Sequence, residues 1–455
     1  MMRRVLFALV AAGVVGLIVW AVVRPMGRAG ADGALLGARP LASPEALRGE
    51  VEVWSWNIAA GALQECIPGF NRRYPHVKVH VNMTGARMQT RFFLSLCAGV
   101  GGPDVSQLQN VEGPQYTQAR RLTDLTRVAA RYEKQFAPAF WTNCIHDGKV
   151  YAIPWDMGPC AVFYKRDIFR RSGVDPSAIE TWDEFLEAGR TIFRETGGRT
   201  KLFHLPTSNR MTAMFEILIQ QNGGQVFDDR GRLAVNSPET LQVLGQLRRF
   251  LDSGVCSNVD MWTAEYMASI KNDTVATYPI AVWFGGTIKD QAPRSAGNWG
   301  VFRLPALEPG GRRVSNFGGS VLVIPDQCSN KEAAWAFVEY ALCTKEGQLT
   351  QYKHFDLFPS LMTTFDDPFF DEGEAFYGGQ KVRRLFATEI EKIPRLNRTA
   401  RWNEAMRYIG QALSRWATAA TPPNAFLDAL EAKMLTRLGV ERSPESLGVR
   451  REAAE

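Results

Sequence analysis

Alternating apolar and polar positions mark strands in the first folded part of the chain. Residues 51–56 read VEVWSW and residues 76–81 read HVKVHV, with the period of two that is typical of a half-buried strand. A third strand is predicted where residues 100–109 read VGGPDVSQLQ. Helical spacing over residues 57–70 and 87–98 separates the three strands. This alternation predicts a parallel α/β sheet, in which ligands bind at the carboxyl ends of the strands.

The later part of the chain carries the same kinds of pattern. Thr181 with Glu184 three residues later has the spacing of a capping box, and Ser237 followed by Pro and Glu also begins a helix. Residues 223–237 predict a surface hairpin. The remaining patterns predict helices over 181–196, 211–221 and 237–251, strands over 275–283, 299–304 and 319–325, and a helical region over 331–438.

Residues 147–187 hold a distinctive aromatic and acidic pair. Two short apolar strands are predicted over 150–154 and 160–164, with a bend between them, because Pro and Gly punctuate the chain there. Trp155 and Asp156 lie at this bend. An aromatic face beside a carboxylate suits a polyhydroxylated ligand, although a Trp–Asp pair is also compatible with a purely structural role.

Length and charge restrict the class of protein. A chain of 455 residues is too long for one hydrophobic core, so two lobes are expected. Most of the formal net charge of +6 comes from six Arg against two acidic residues before position 49, and the remainder is nearly neutral. No concentrated basic face is visible, which argues against a nucleic-acid partner.

The amino-terminal segment predicts export. Residues 5–23 are apolar and uncharged and are flanked by Arg on both sides. This layout is typical of a signal anchor or of a cleaved signal peptide with small residues at 29–31, and both alternatives stay open. Residues 1–26 are assigned to this segment, and residues 27–50, rich in Gly, Ala, Arg and Pro, to a flexible stalk. An uncleaved anchor would tether the protein to the inner membrane.

Residues that commonly carry catalysis or bind metals are scattered. The seven Cys have no metal-ligand spacing, so most are expected to be buried and unpaired, with a Cys66–Cys97 disulfide left open. His76 and His80 are expected on the surface of a strand. No nucleotide, zinc-protease or serine-hydrolase motif occurs. Neither a cofactor nor a metal is predicted.

Several segments in fixed order carry a family resemblance. They are VEVWSW, FNRRYPHVKV, GGPDVSQLQ, DGKVYAIPWDMGPCAVFYKRDIFRRSGVD, TWDEFLEAG, NGGQVFDDRGRLAVNSPE, AVWFGG, WGVFRLPALEPGG and NFGGSVLVIPDQCSNKEAAWAFVEYALCTKEGQ. Their order over residues 51–438 resembles the extracellular solute-binding proteins of bacterial ABC importers. The most similar group is the carbohydrate-binding one, which includes the maltose-binding protein.

The resemblance implies an α/β, two-lobed periplasmic-binding-protein fold of type II, with a sugar bound in the cleft and hinge closure around it. It implies three crossings between the lobes, near 155–159, 316–319 and 357–361. The implied amino-terminal lobe is 51–156 with 318–358, the implied carboxyl-terminal lobe is 157–317 with 359–440, and residues 441–455 form a tail.

Ligand-binding positions follow from the resemblance. In the first predicted strand and just after it, Trp56 is expected in the cleft and Trp54 in the core. Trp283 and Trp402 are expected to stack on the sugar, although Trp402 also suits a helix interface. The full implied set is Trp56, Asn57, Asn110, Glu112, Trp155, Asp156, Trp283, Gly285, Gly286, Gly318, Arg401 and Trp402.

Partners and alternatives also follow. The expected partners are a carbohydrate, most simply a neutral one, the transmembrane subunits of an ABC permease, and the membrane through the amino-terminal segment. The protein is expected to be a monomer and not an enzyme. One alternative is a tethered ligand sensor. The other is a thiaminase-like enzyme on the same scaffold, with Cys160 as nucleophile and Glu112 or Asp156 as base.

Overall fold

The computed structural model describes residues 36–37, 40–85, 87–118 and 121–448. Its strands are β1 Gly49–Ser55, β2 Val77–Met83, β3 Val105–Gln109, β4 Ile145–His146, β5 Lys149–Val150, β6 Ala152–Lys165, β7 Thr277–Ala281, β8 Trp299–Arg303 and β9 Asn316–Val323. Its longer α-helices are Asn57–Arg73, Met88–Ala98, Trp182–Glu195, Thr212–Asn222, Pro238–Asp252, Ala264–Lys271, Phe284–Gln291, Lys331–Cys343, Lys345–Phe355, Trp402–Ala417 and Pro423–Leu438. Its shorter α-helices are Gly113–Gln118, Thr126–Ala129, Pro138–Trp141, Arg166–Arg171 and Val382–Ala387.

The predicted signal or anchor segment lies outside the described residues, as do residues 27–35 and 38–39 of the predicted stalk and residues 449–455 of the tail. The flexible stalk needs correction in its described part, because Leu36 and Leu47 are buried in a hydrophobic cluster and β1 already begins at Gly49. Among the helices that are described, none combines the length and the apolar character needed to cross a membrane.

The main sheet mixes parallel and antiparallel strands. Its order is β2-β1-β3-β9-β6-β7, with β8 paired to β6. The pairs β1–β2 and β1–β3 are parallel, as the strand–helix alternation predicts. β9 enters antiparallel between β3 and β6, so a strand from late in the sequence completes the first part of the sheet.

β6 corrects the prediction of two strands and a bend over residues 150–164. It is one strand of 14 residues, and all of them are buried. Its pairing with β9 runs from Ala152 opposite Val323 to Pro159 opposite Asn316. The register shifts between Pro154 and Asp156 and between Met157 and Pro159, as in a β-bulge. Proline is tolerated at such positions because it has no backbone N–H to donate to the neighbouring strand.

The buried hydrophobic side chains form several clusters, and we call the parts of the structure around the two largest the amino-terminal and carboxyl-terminal lobes. The amino-terminal lobe packs around β1 and the helices Asn57–Arg73 and Lys331–Cys343. The carboxyl-terminal lobe packs around the helices Trp182–Glu195, Thr212–Asn222 and Trp402–Ala417. Because β6 pairs with β9 at one end and with β7 and β8 at the other, these strands join the two cores.

Asp156 lies where all three predicted crossings meet. It pairs with Ser320 of β9 and forms an isolated bridge with Pro359. The next residue, Met157, donates its backbone N–H to the Phe358 carbonyl oxygen at 3.0 Å. The three segments are therefore hydrogen-bonded to one another, while the predicted lobe boundaries stay predictions.

Two other predictions need correction. Residues 223–237 do not form a two-stranded hairpin: Phe227 bridges Leu233, Leu233 also bridges Arg442, and both Phe227 and Leu233 are buried, while Asp229 and Arg230 at the turn are exposed. The predicted helical region from 331 to 438 is interrupted between Phe355 and Trp402, where short 3-10 turns and loops alternate with one six-residue helix. Glycines and prolines in that interval break the helical pattern.

Local signals for helix starts are confirmed. Thr181 and Glu184 form the predicted capping box, and Ser237 accepts a hydrogen bond from the Thr240 backbone N–H. All seven Cys are free, so the Cys66–Cys97 disulfide is absent, with Cys66 buried and Cys97 exposed.

Candidate functional site

Trp56 and Asn57 lie at the carboxyl end of β1. Trp56 is half-buried and precedes helix Asn57–Arg73, and its backbone N–H donates to Gln107 Oε1 at 3.3 Å. Asn57 is exposed and has a φ of 49°, a left-handed conformation that Asn tolerates better than most residues. Trp54 is buried in the strand body, as predicted.

A 3-10 turn, Asn110–Glu112, follows β3. Glu112 Oε2 accepts from the Gln109 backbone N–H and from Gln89 Nε2, both at 3.1 Å, and burial raises the pKa of this carboxyl group. Asn110 is 3 % exposed, and within the described residues its Oδ1 has no hydrogen-bond partner. A buried amide oxygen without a partner is costly, so Asn110 offers an acceptor to a bound molecule.

This turn touches the opposite lobe. Val111 packs against the hydrophobic cluster of the carboxyl-terminal lobe, and the turn contacts helix Trp402–Ala417. Trp402 belongs to that cluster and is buried, with the Arg398 guanidinium 5.2 Å from its ring centre. Arg401 is exposed and pairs with Glu404 at 3.4 Å. In this conformation neither residue presents a free face or a free charge to the cleft.

Trp155 and Asp156, predicted at the first crossing, have different surroundings. Trp155 is 1 % exposed in the amino-terminal core, and its indole N–H donates to Gln351 Oε1. Its ring is therefore not accessible to a ligand in this conformation. Asp156 is also buried, and burial raises its pKa to about 6, although Ser320 donates hydrogen bonds to the carboxylate.

A buried polar chain runs from β1 to this carboxylate. Ser55 Oγ donates to Gln107 Oε1 at 2.6 Å, and Gln107 Nε2 donates to Ser320 Oγ at 3.0 Å. Ser320 in turn reaches Asp156. The chain couples the carboxyl ends of β1 and β3 to the connecting strands β6 and β9.

Trp283 is, with Trp56, one of two predicted tryptophans that the structure leaves partly open. It is half-buried just after β7, and its Nε1 donates to the Phe317 carbonyl oxygen on β9 at 2.9 Å. Gly318 follows with a φ of 84°, and a Cβ placed there would lie 3.2 Å from Trp283 Nε1. Glycine is thus required both by the backbone conformation and by the indole.

Gly285 and Gly286 meet protein atoms. A Cβ on Gly285 would lie 2.6 Å from Tyr377 Oη, and a Cβ on Gly286 would lie 3.8 Å from Asp356. The absence of a side chain at Gly285 is therefore explained by packing of Tyr377. Its predicted role in ligand approach is not needed to account for it.

One further tryptophan lies against Trp283 and was not among the residues predicted from the sequence. Trp262 is 50 % exposed and stacks on Trp283, with ring centres 5.9 Å apart and planes 24° from parallel. Its φ of 70° is unusual for a bulky side chain. The only local indication was a Trp flanked by polar residues just before a helix, in VDMWTAEYM.

Cys160 does not have the environment of a nucleophile. It is buried, and burial together with the neighbouring Glu216 raises its thiol pKa well above the ordinary value. A reactive thiol needs the opposite shift. In the part of the chain that the structure describes, no group of three or more acidic, His or Cys side chains has the arrangement to hold a metal ion.

Together these groups can bind a molecule that has an apolar face and a polar rim. Trp262 and Trp283 supply aromatic surface beside β9, and Asn110 and Glu112 supply acceptors from the other lobe. The two sets come from different lobes, which already meet where Val111 packs against the carboxyl-terminal cluster, so a ligand that contacts both would lie between the lobes.

Comparisons with known proteins agree with this architecture. Residues 55–348 match the family model described as "Bacterial extracellular solute-binding protein". The arabinooligosaccharide-binding protein of Halalkalibacterium halodurans is 25% identical over 364 residues, 77% of this chain and 81% of that protein. The lactose-binding protein of Rhizobium radiobacter is 23% identical over 389 residues, 80% of this chain and 87% of that protein.

Solved structures support the fold. The sugar-binding protein MalE of Xanthomonas citri superposes with a TM-score of 0.73 at 21% identity, covering 89% of this chain and 99% of that one. The binding protein of Bifidobacterium animalis subsp. lactis in complex with β-1,6-galactobiose superposes with a TM-score of 0.70 at 23% identity, covering 86% and 97%. At these identities the likeness establishes a common fold.

Proposed function

The chain belongs to the family of bacterial extracellular solute-binding proteins, and on that premise we propose that it captures a carbohydrate between its lobes and delivers it to an ABC permease. Membership of this family implies a body that works outside the cytoplasm. The protein binds and releases its ligand without chemical conversion.

The anchored indole of Trp283 is the observation that carries this proposal. A sugar ring has an apolar C–H face and a rim of hydroxyl groups, so it needs an aromatic surface with hydrogen-bonding groups around it. Trp283 is held in place by its bond to Phe317, and Asn110 supplies an unpaired acceptor. We propose Trp56, Asn57, Asn110, Glu112 and Trp283 as ligand contacts.

The named relatives support a neutral oligosaccharide as the ligand class. One of them is named for arabinooligosaccharides and another for lactose. The acidic group Glu112 beside Asn110 disfavours a phosphorylated sugar, because two negative charges at one buried site repel each other.

Hinge closure is the second part of the proposal. Strands β6 and β9 pair within both lobes, and Pro359 bridges to Asp156, so rotation about these three segments would open the cleft. In the open form Val111 would leave the surface of the carboxyl-terminal lobe. A type II fold with the predicted lobe boundaries is consistent with this arrangement.

The amino-terminal segment completes the proposal. Residues 1–26 act either as an uncleaved anchor in the inner membrane or as a signal peptide, and the folded body works as a monomer. Mass spectrometry of the mature protein from membrane and soluble fractions distinguishes the two: an intact amino terminus in the membrane fraction supports the anchor.

Calorimetric titration and thermal-shift assays with a sugar panel test the binding function. The probes are arabinotriose, lactose, β-1,6-galactobiose, maltose and glucose 6-phosphate. A micromolar dissociation constant corresponds to about 8 kcal/mol, which one covered indole and several hydrogen bonds supply. We expect a neutral sugar to raise the melting temperature, and glucose 6-phosphate to have no effect. A folded protein that responds to none of the neutral sugars would contradict the proposal.

A further inference from the structure

Trp262 and Trp283 form an unusual pair in the proposed cleft. Their ring centres lie 5.9 Å apart with planes 24° from parallel, and half of Trp262 is exposed to solvent. An exposed indole that covers another indole removes apolar surface from water in the protein without ligand. The face of Trp283 that a sugar would use is thus already occupied by a side chain.

The two indoles are held very differently. Trp283 donates its N–H to Phe317 at 2.9 Å and rests against Gly318 and the Phe317 ring. The Trp262 indole N–H has no hydrogen-bond partner among the described residues. Trp283 is therefore fixed to the connecting strand by a hydrogen bond, whereas the half-exposed Trp262 ring is held by ring contacts with Trp283, Tyr266 and Phe284.

The backbone at Trp262 is held in an unusual conformation. Its φ is 70°, which costs free energy for a bulky residue. The turn around it is closed because Thr263 Oγ1 donates to the Asp260 carbonyl oxygen at 2.8 Å and accepts from the Tyr266 backbone N–H. Ser208 Oγ also donates to the Asp260 carboxylate. Strain that is maintained by its surroundings in this way is a feature of functional positions.

The present spacing is too small for a guest. A sugar ring between two indoles needs two contact gaps of about 3.5–4 Å, or a separation of about 7–8 Å. The two indoles, with centres 5.9 Å apart, lie against each other, so they must separate before a ring fits between them. Such a separation is within reach of a side-chain rotation at a half-exposed residue.

We propose that Trp262 is the movable wall of a two-indole sugar subsite whose fixed wall is Trp283. Without ligand, Trp262 covers Trp283; with ligand, it moves outward and one sugar ring lies between the two indoles. This inference rests on the proposed function and narrows it. The enclosed ring must present apolar C–H groups on both faces, which selects a terminal, uncharged pyranose or furanose ring without a bulky axial substituent.

Far-ultraviolet circular dichroism tests the pair directly, because two stacked indoles give a coupled positive and negative band. We expect the full-length protein without ligand to show this couplet, and both Trp262→Ala and Trp283→Ala to lose it. Saturation with whichever of arabinotriose, lactose, β-1,6-galactobiose or maltose binds should weaken the couplet. Phe193→Ala should leave the couplet unchanged, because Phe193 lies on helix Trp182–Glu195, where its ring contacts the Lys201 amine.

Calorimetric titration of the same proteins gives the second readout. Trp262→Ala should weaken binding of the sugar by roughly tenfold or more, and Trp262→Phe, which keeps a flat ring, by less. Wild-type affinity in Trp262→Ala, or a couplet that sugar leaves unchanged, would overturn the inference while the binding function stands. If no sugar binds the folded wild-type protein, the proposed function falls and the subsite with it.

Discussion

The indole N–H of Trp283 donates to the backbone carbonyl oxygen of Phe317 at 2.9 Å. This bond attaches an aromatic side chain of the carboxyl-terminal lobe to β9, the strand that also pairs with β3 of the amino-terminal lobe. Any rotation of β9 must therefore move the indole or break the bond. Trp283 and the strand that connects the two cores are therefore coupled by this hydrogen bond.

Substitution of Gly318 by Ala should disturb this coupling. The new methyl group would have a φ of 84° and would lie 3.2 Å from Trp283 Nε1. We expect a loss of about 1–2 kcal/mol in the free energy of unfolding and weaker sugar binding, measured by urea denaturation and calorimetry. Gly297 is a matched control, since its φ is 85° but its Cβ would meet no atom within 4 Å. Equal losses of affinity in both variants would contradict a specific role for Gly318.

Asn110→Leu should separate binding from stability. The Asn110 Oδ1 atom is buried without a partner in the described structure, so its removal takes away a cost in the ligand-free protein. We expect an unchanged or higher melting temperature and a binding loss of about 1–3 kcal/mol in calorimetry.

Gln107→Leu is the contrasting variant for that experiment. It removes the hydrogen bonds with Ser55 and Ser320 at 2.6 and 3.0 Å, and should lower the melting temperature. A large loss of stability in Asn110→Leu, comparable to that of Gln107→Leu, would argue that Asn110 has a structural role instead.

Asp156 should make stability depend on pH in a defined direction. Burial raises its pKa from 3.8 to about 6, so the native state binds more protons than the unfolded state between these values. Stability should therefore fall as pH rises from about 4 to about 6, by up to about 3 kcal/mol, and then stay level for this group. Denaturant unfolding at several pH values measures the slope.

Two variants test whether Asp156 causes this dependence of stability on pH. Asp156→Asn should flatten it and raise stability at neutral pH. Asp175 is the control, because hydrogen bonds from the Ser177 backbone N–H and hydroxyl group lower its carboxyl pKa. Asp175→Asn should therefore change the pH dependence of stability in the direction opposite to Asp156→Asn. An unchanged slope in Asp156→Asn would show that another group controls the acid behaviour.

The ion pair of Arg398 and Glu216 should be sensitive to loss of either partner. The two side chains are 2 % and 10 % exposed and meet at 2.8 Å, with Arg398 beside the Trp402 ring. Removal of one charge leaves the other buried, so Arg398→Met should cost about 3–5 kcal/mol in urea denaturation. The exposed pair Arg72–Glu346, at 2.7 Å, offers the control, and Arg72→Met should cost at most about 1 kcal/mol.

Thiol labelling should distinguish Cys97 from Cys160. Cys97 is exposed, whereas Cys160 is buried with a thiol pKa raised well above its usual range. Iodoacetamide at neutral pH should modify Cys97 first and Cys160 only on unfolding, as followed by peptide mass spectrometry. Rapid modification of Cys160 in the folded protein would revive the enzymatic alternative.

Local sequence patterns were sufficient for many elements. The alternation at residues 51–56 and 76–81 produced two parallel neighbours in the sheet, and the Thr181 capping box appeared as expected. The capping box and the alternation within each strand are local patterns, so the sequence order alone indicates them, whereas the pairing of β1 with β2 is a contact between separate segments. The ordered segments also indicated the family correctly.

The bend predicted at residues 155–159 was wrong because the pairing partner was not visible locally. Pro154, Gly158 and Pro159 normally interrupt a strand, yet β9 pairs across them, and Asn316 Oδ1 accepts the Gly158 N–H at 2.8 Å. That partner lies 158 residues later in the chain. Long-range pairing overrode the local signal.

The sequence by itself indicated the family, the parallel start of the sheet and several helix starts, while the predicted lobe boundaries stay predictions. Only the tertiary structure decided which tryptophans are accessible. Trp155 and Trp262 both lie near polar and turn-forming residues in the sequence. Trp155 is nevertheless buried in the core, where its indole N–H donates to Gln351, 196 positions away. Trp262 instead stays half exposed on Trp283. Burial is a sum of contacts between distant segments, so it is settled only when the chain has folded.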